Sequence, residues 1–162
     1  MFNLVGKTLG SYELTAFIGR GGMSTVYKAR QQTVNREVAI KVMSERTEEG
    51  SPELERFVRE VQIIANLEHI HILPIYDYGQ VDGFPYIVMR YLDGGSLNNR
   101  VRAKNLSITE VERLLSQIAA ALDYAHAHNV IHRDMKPHNV LLDREGNAFL
   151  CDFGIAKLTG TH

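Results

Sequence analysis

A single change of period constrains the fold most. Over the first ~90 residues the apolar positions and the β-branched content are strand-like; beyond Asp93-Gly94-Gly95 the apolar spacing is helical. Segments 12–19, 25–30 and 37–42 read as strands, the first two joined by Arg20-Gly21-Gly22-Met23-Ser24. A helix follows: Ser51 serves as N-cap, Pro52 takes the first position, and Glu53 and Glu55 lie near the positive end of the dipole. Its stripe is Leu54, Phe57, Val61 and Ile64. Two more strands are expected at 74–78 and 86–90, separated by the turn at Asp82-Gly83. After the double glycine come a short helix from Ser96 and a long one opened by a Ser107-x-x-Glu110 capping box. The long helix carries Ile108, Val111, Leu115, Ile118, Leu122 and Ala125 along one apolar side, with Leu114 and Ala121 widening it, and should end near His128-Asn129. From Val130 onward the chain reads as short strands and loops. Strands first and helices later predict an α+β chain of two lobes, 1–92 and 93–162.

Composition narrows the partners. Eighteen basic against nineteen acidic residues leave a net charge of −1, which argues against a chain built to neutralise nucleic acid or an anionic membrane. No apolar run approaches the ~18 residues of a membrane helix, and residues 1–11 lack the pattern of a signal peptide. The single cysteine, Cys151, rules out an intramolecular disulfide and suits a reduced, cytoplasmic setting. It reads as a small buried strand residue rather than a nucleophile.

Three local patterns carry chemistry. In Ile18-Gly19-Arg20-Gly21-Gly22-Met23-Ser24-Thr25-Val26 the glycines let backbone N–H groups come close to phosphate oxygens. By itself the pattern serves equally well as a Gly-rich hairpin turn. It runs from strand to strand, which excludes a dinucleotide-binding loop, and Gly6-Lys7-Thr8 lacks the first glycine of a Walker loop. Lys41 ends the strand Val38-Ala39-Ile40-Lys41 on the same face as the small Ala39, either as a functional cation or as a lysine snorkelling to water. Glu60 flanks the buried stripe of the following helix, where it could pair with Lys41 or remain a solvated charge.

The third pattern decides. In His132-Arg133-Asp134-Met135-Lys136-Pro137-His138-Asn139, Asp134 can accept a hydroxyl proton, Lys136 can neutralise a moving phosphoryl group, Asn139 can hold a metal through oxygen, and Pro137 stiffens the loop. Asp152-Phe153-Gly154 brings a second carboxylate oxygen at an apolar strand end. Five fixed residues at this spacing arise by chance in roughly 5 × 10⁻⁵ of chains this long. The pairs His69/His71 and His126/His128 read as turn and helix-end histidines, since no Cys or Glu completes a ligand set.

In order and spacing these residues resemble the protein kinase family, in particular bacterial serine/threonine kinases of the eukaryotic (Hanks) type. The resemblance implies a protein-kinase-like two-lobe fold: a five-stranded antiparallel sheet with one helix, then an incomplete helical lobe, with ATP and Mg²⁺ (or Mn²⁺) in the cleft. It implies that Ile18, Gly19, Gly21, Gly22 and Val26 cover the nucleotide, and that Lys41 holds the α- and β-phosphates and pairs with Glu60. Ala39 and Leu141 would sandwich adenine, Met89 would stand behind it, and the backbone from Arg90 to Leu92 would form the hinge. Asp134 resembles the catalytic base, Lys136 the γ-phosphate contact, and Asn139 and Asp152 the metal ligands. Lys136-Pro137 is similar to the serine/threonine branch, so the implied partners are ATP and proteins bearing Ser or Thr. Arg133 suggests control by a phosphorylated loop, and pairing of two kinase domains is a further implied partner mode.

The chain departs from the family pattern in three places. Ser24 replaces a third loop glycine, Arg90 replaces a common hinge acid, and the chain stops eight residues after Gly154. The resemblance then implies that on the order of a hundred residues, including the peptide platform, lie outside the sequence, so that the 162 residues alone are expected to be a poor kinase and prone to associate. A non-catalytic, nucleotide-binding pseudokinase module is the alternative; intact Lys41, Asp134 and Asp152 weigh against it.

Overall fold

A computed structural model of the chain describes residues 4–154. The expected lobe 93–162 therefore includes eight residues, 155–162, outside the described part. Two compact units are present: residues 4–62 with 75–91, and residues 63–74 with 92–154.

The first unit is built on an antiparallel sheet of six strands. They are β1 (Thr8–Leu9), β2 (Tyr12–Arg20), β3 (Ser24–Gln31), β4 (Arg36–Met43), β5 (Ile75–Val81) and β6 (Phe84–Arg90), in the order β1-β2-β3-β4-β6-β5. The expected count of five strands is corrected to six. The missed strand has two residues, too few to show alternation. It exists because Gly10, at φ 56°, reverses the chain and pairs Leu9 with Tyr12. All five expected strands are present, each shifted or extended by a few residues, because ladder hydrogen bonds continue past the apolar positions that mark a strand in sequence.

Register divides the sheet into two faces. Residues directly paired across antiparallel strands share a face. Thr25 pairs with Val42, which pairs with Tyr86, while Val26 pairs with Lys41, which pairs with Ile87. One face thus carries Tyr27, Ile40, Val42 and Val88, part of a core cluster completed by Leu9, Tyr12, Leu14, Ala29 and Val38. The other carries Val26, Ala39, Lys41 and Met89. Tyr12 sits 4% exposed and donates its hydroxyl to Asp77 Oδ2 at 2.9 Å; burial and that carboxylate push its pKa up to about 12.

Helix α1 (Pro52–Ala65) starts as the sequence predicts, with Ser51 Oγ accepting from the Leu54 N–H at 3.3 Å. Phe57, Val61 and Ile64 are buried, and Leu54 half-buried.

The second unit contains α2 (Leu97–Arg102), α3 (Ile108–Ala127), a 3₁₀ turn at Pro137–Asn139, and the hairpin of β7 (Val140–Leu142) and β8 (Ala148–Leu150). The capping box on α3 forms: Ser107 Oγ accepts from the Glu110 N–H, and Glu110 Oε2 accepts from the Ser107 N–H. Those bonds, with Arg100 beside the carboxylate, hold the Glu110 pKa at about 2. The apolar side of α3 needs correction. Leu114, Ile118, Ala121 and Ala125 are buried, Val111 and Leu122 half-buried, and Ile108 and Leu115 are 84% and 60% exposed. At about 100° per residue the covered arc is centred between Leu114 and Ile118, and burial fades steadily toward Ile108. The helix is apolar over a wider arc than its unit covers.

Side-chain amides lock α3 to the hairpin. Gln117 Oε1 accepts from the Ala148 N–H at 2.8 Å, and Gln117 Nε2 donates to Asn147 Oδ1 at 3.1 Å. The segment before α2 lies against the same hairpin: the Gly94 N–H donates to Leu142 O and the Leu142 N–H to Gly95 O. A Cβ on Gly94 would stand 2.3 Å from Asp143 O, so only glycine allows this approach. Among the described residues, no helix is long and apolar enough to cross a membrane.

Candidate active site

The loop from His132 to Asn139 is organised around two buried residues. His132, 2% exposed, places Nε2 2.8 Å from Cys151 O and receives the Asp134 N–H on Nδ1 at 3.3 Å. One nitrogen faces an acceptor and the other a donor, so the neutral Nε2–H tautomer satisfies both. Burial keeps the ring neutral by lowering its pKa, against the opposing pull of the Cys151 carbonyl and the Asp152 and Asp134 carboxylates. The imidazole also stacks on Phe153, with centroids 4.5 Å apart. Through one side chain the loop is bonded to Cys151 and packed on Phe153, on either side of Asp152.

Asn139 does the same for Asp134. Its Nδ2 donates to Asp134 O at 2.8 Å and to Asp134 Oδ2 at 3.0 Å. Only the NH₂ end can serve two acceptors, so Oδ1 is turned away from them. Lys136 Nζ lies 2.9 Å from the same Oδ2. One carboxylate oxygen of Asp134 is thereby held from two sides, by groups that follow it by two and five residues. The backbone is bent to achieve this: Arg133 and Asp152 have φ of 62° and 60°, costly for non-glycine residues and typical of functional loops. Gly154 closes against the loop, where a Cβ would meet His132 O and Arg133 Cβ at 3.2 Å. Cys151 is buried, with Sγ 3.4 Å from Asn139 O, but it lies one residue past the end of β8 and is not a strand residue as expected, because the ladder with β7 stops at the Val140–Leu150 pair.

Half-buried Asp152 and the Oδ1 of buried Asn139 are oxygen donors, the kind a hard cation such as Mg²⁺ takes. Leu141, half-buried on β7, and Leu92 belong to this second unit as well.

The first unit holds the remaining candidates. Ala39, Lys41, Met89 and Val26 share one face of the sheet. Lys41 is 8% exposed, far more buried than a lysine at a strand end that reaches into water, and it has an interaction partner. Glu60 is half-buried on α1, and among the described residues it takes part in no ion pair. Arg90 is exposed and continues the ladder opposite Val38. Residues 18–26 form a hairpin: Gly19 pairs with Val26, the Gly21 N–H donates to Ser24 O at 2.8 Å, and Ile18 is exposed. A Cβ on Gly19 or Gly22 would meet nothing within 4 Å, and neither residue has a left-handed φ. The fold therefore does not require glycine there, whereas a ligand that must touch the backbone does. Ser24 is buried and paired with Met43.

Two features escaped the sequence reading. His132 was only a motif letter; its role needs Cys151 and Phe153, which are distant in sequence. The requirement for Gly94 arises from a hairpin some fifty residues later. Three other histidines make structural contacts: His71 Nδ1 lies 2.9 Å from Ala148 O, His69 stacks with Tyr124, and His128 caps α3, while His126 is exposed near the end of that helix.

Comparison with known proteins agrees with this geometry. The protein kinase domain family matches residues 12–162. Serine/threonine-protein kinase PknH of Mycobacterium bovis is 41% identical over 156 residues, covering 96% of this chain and 26% of that protein. PrkC of Bacillus subtilis is 41% identical over 155 residues, covering 94% and 24%. The crystal structure of the Mycobacterium tuberculosis PknI kinase domain superposes with a TM-score of 0.81 at 34% identity, covering 93% of this chain and 61% of that one. The chain thus spans about a quarter of the length of these curated relatives. A family match over nearly the whole chain, on a fold with Asp134, Lys136 and Asn139 gathered in one loop, has one meaning: the chain, similar to these bacterial serine/threonine kinases, belongs to the protein kinase domain family.

Proposed function

We propose that the chain provides the nucleotide-binding and catalytic-loop portion of an ATP-dependent serine/threonine protein kinase. The observation that carries this is the clamp on Asp134 Oδ2 by Asn139 Nδ2 and Lys136 Nζ. It fixes the direction of the carboxylate that would take the proton of a seryl or threonyl hydroxyl. Lys136, already beside that carboxylate, contacts the γ-phosphate and balances its charge. Lys41 holds the α- and β-phosphates, with Glu60 closing on it when they are bound. The hairpin at Ile18, Gly19, Gly21, Gly22 and Val26 covers the phosphates with backbone N–H groups. Adenine contact is assigned to Ala39 and Met89 on the first unit and to Leu141 on the second, and bonding of its edge to the backbone from Arg90 to Leu92. Asn139 Oδ1 and Asp152 would hold the metal, which would supply charge neutralisation on the phosphate oxygens. Residues 1–92 form the nucleotide lobe with its hinge, and the chain from 93 to 162 the start of the catalytic lobe.

The test uses the full-length protein carrying this chain, with labelled ATP. Lys41→Met and Asp152→Asn should weaken Mg²⁺–nucleotide binding and abolish transfer. Asp134→Asn should keep nucleotide affinity within about threefold while turnover falls roughly 100-fold or more, because general-base and positioning effects act in the transition state. Loss of nucleotide affinity in Asp134→Asn as severe as in Asp152→Asn would overturn the division of roles. Wild-type transfer in Lys41→Met would overturn the reading itself.

A further inference from the structure

A cavity of about 260 Å³ lies in the first unit, apart from all the residues assigned above. Its wall is apolar: Leu4, Tyr27, Val42, Val81 and Phe84. Its polar groups are Arg20, Thr25, Ser44 and Asp82. The register fixes which side of the sheet it occupies. Arg20 pairs with Thr25, Thr25 with Val42, Val42 with Tyr86, and Val81 with Phe84. These positions share the face opposite to Val26, Ala39, Lys41 and Met89, so the cavity is separated from the nucleotide residues by the thickness of the sheet.

Size and charge define an occupant. At ~30 Å³ per water the space holds roughly nine waters, or an apolar body of about ten non-hydrogen atoms. Aromatic and aliphatic walls favour such a body over water. The lining has one carboxylate, that of Asp82, and one guanidinium, that of Arg20; a second guanidinium, that of Arg46, is held beside it on the Asp82 backbone. Arg20 lines the cavity, and Arg46 donates Nε to Asp82 O at 3.0 Å and lies 5.5 Å above the Phe84 ring. A guanidinium is the side chain best matched to a carboxylate.

We propose that this cavity is a binding site for a small amphipathic acid, with its apolar body against Tyr27, Val42, Val81 and Phe84 and its carboxylate on Arg20. The site acts on the glycine-rich hairpin. Arg20 and Thr25 are the last ladder pair before its tip, and the tip is tied to the end of β4 by the Ser44 N–H donating to Met23 O at 2.9 Å. An occupant bridging Arg20 and Ser44 restrains the hairpin from the side away from Gly19 and Val26. The binding does not depend on the proposed kinase activity; only the consequence for nucleotide handling does.

The experiment uses decanoate, decanol and decylammonium as probes of equal apolar length, each below its micelle threshold, with the full chain and ligand-observed NMR. Decanoate should bind at least tenfold more tightly than either other probe. Arg20→Gln should erase that preference while leaving decanol binding in place, and Val81→Trp should fill the cavity and remove all three. Because Val81→Trp could disturb the sheet, a diazirine-bearing decanoate is photolysed on the unmutated chain. Cross-links should fall within residues 20–27, 42–44 and 81–84, and hydrogen exchange of residues 20–25 should slow with decanoate and no nucleotide present. Equal binding of the three probes, or cross-links confined to the second unit, would overturn the site. Unchanged exchange at the hairpin with decanoate bound would overturn its action on the loop.

Discussion

At the scale of single residues, His132 shows how a loop is fixed by a group with no chemistry of its own in the reaction. Its two nitrogens bind Cys151 O and the Asp134 N–H, so the ring must be neutral and singly protonated. Unfolded, an imidazole titrates near 6.5; folded, burial holds this one lower. In the interval between the two values the unfolded chain binds the extra proton, so this contribution to stability is complete above about pH 6.5 and declines as pH falls toward the folded value. His132→Phe should keep the contact with Phe153, leave a buried donor and acceptor unpaired at a cost of about 1–3 kcal/mol, and flatten the pH dependence between pH 7 and 5. Urea midpoints across that range for both proteins check this. His69, lowered by burial and by His71, supplies the slope that remains. An identical slope in the variant would show that His132 is not the titrating group. The gathering of Lys136 and Asn139 on Asp134 was legible in sequence because their spacing is local and improbable. The work of His132 was not, because its partners lie about twenty residues away.

At the scale of elements, legibility followed local physics. Caps and periods marked α1 and α3 from the first residue, since Ser51 and Ser107 act within one turn. Strand β1 was hidden because two residues have no period, and the arc of α3 that is covered was misplaced because the neighbouring hairpin, not the helix, decides it. Gly94 is the sharpest case of a constraint set by another element. Its carbonyl neighbours belong to β7 and the turn after it, and backbone cannot yield as a side chain can. Gly94→Ala should destabilise the second unit by roughly 1–3 kcal/mol, as overpacked sites do. It should also raise hydrogen exchange at Gly94 and Leu142, whose amides cross the contact. Gly22→Ala, where a Cβ meets nothing, should leave stability within about 0.5 kcal/mol. Equal melting temperatures for the two variants would refute the assignment of Gly94 to packing and Gly22 to ligand approach.

At the scale of the molecule, the uncovered arc of α3 sets solution behaviour. Ile108 and Leu115 are seven residues apart, two turns along one side of the helix, and stay 84% and 60% exposed while Leu114 and Ile118 are buried. Fully burying a Leu or Ile is worth ~1.5–3 kcal/mol, so covering both offers roughly 3 kcal/mol to any surface that fits. Charge does little to oppose contact between copies, because the net charge is only −1. The 162-residue chain should therefore associate with rising concentration, and light scattering should give a mass above its 18.3 kDa. Ile108→Glu with Leu115→Lys should lower that mass toward the monomer without lowering the melting temperature, because neither side chain is in the core, both substitutes are good helix formers, and the new carboxylate falls at the positive end of the helix dipole. A wild-type chain that stays monomeric at high concentration would show that this arc is too small to drive association. An associated double variant would place the contact elsewhere, with the exposed Ile70 and Ile131 as the next surfaces to change.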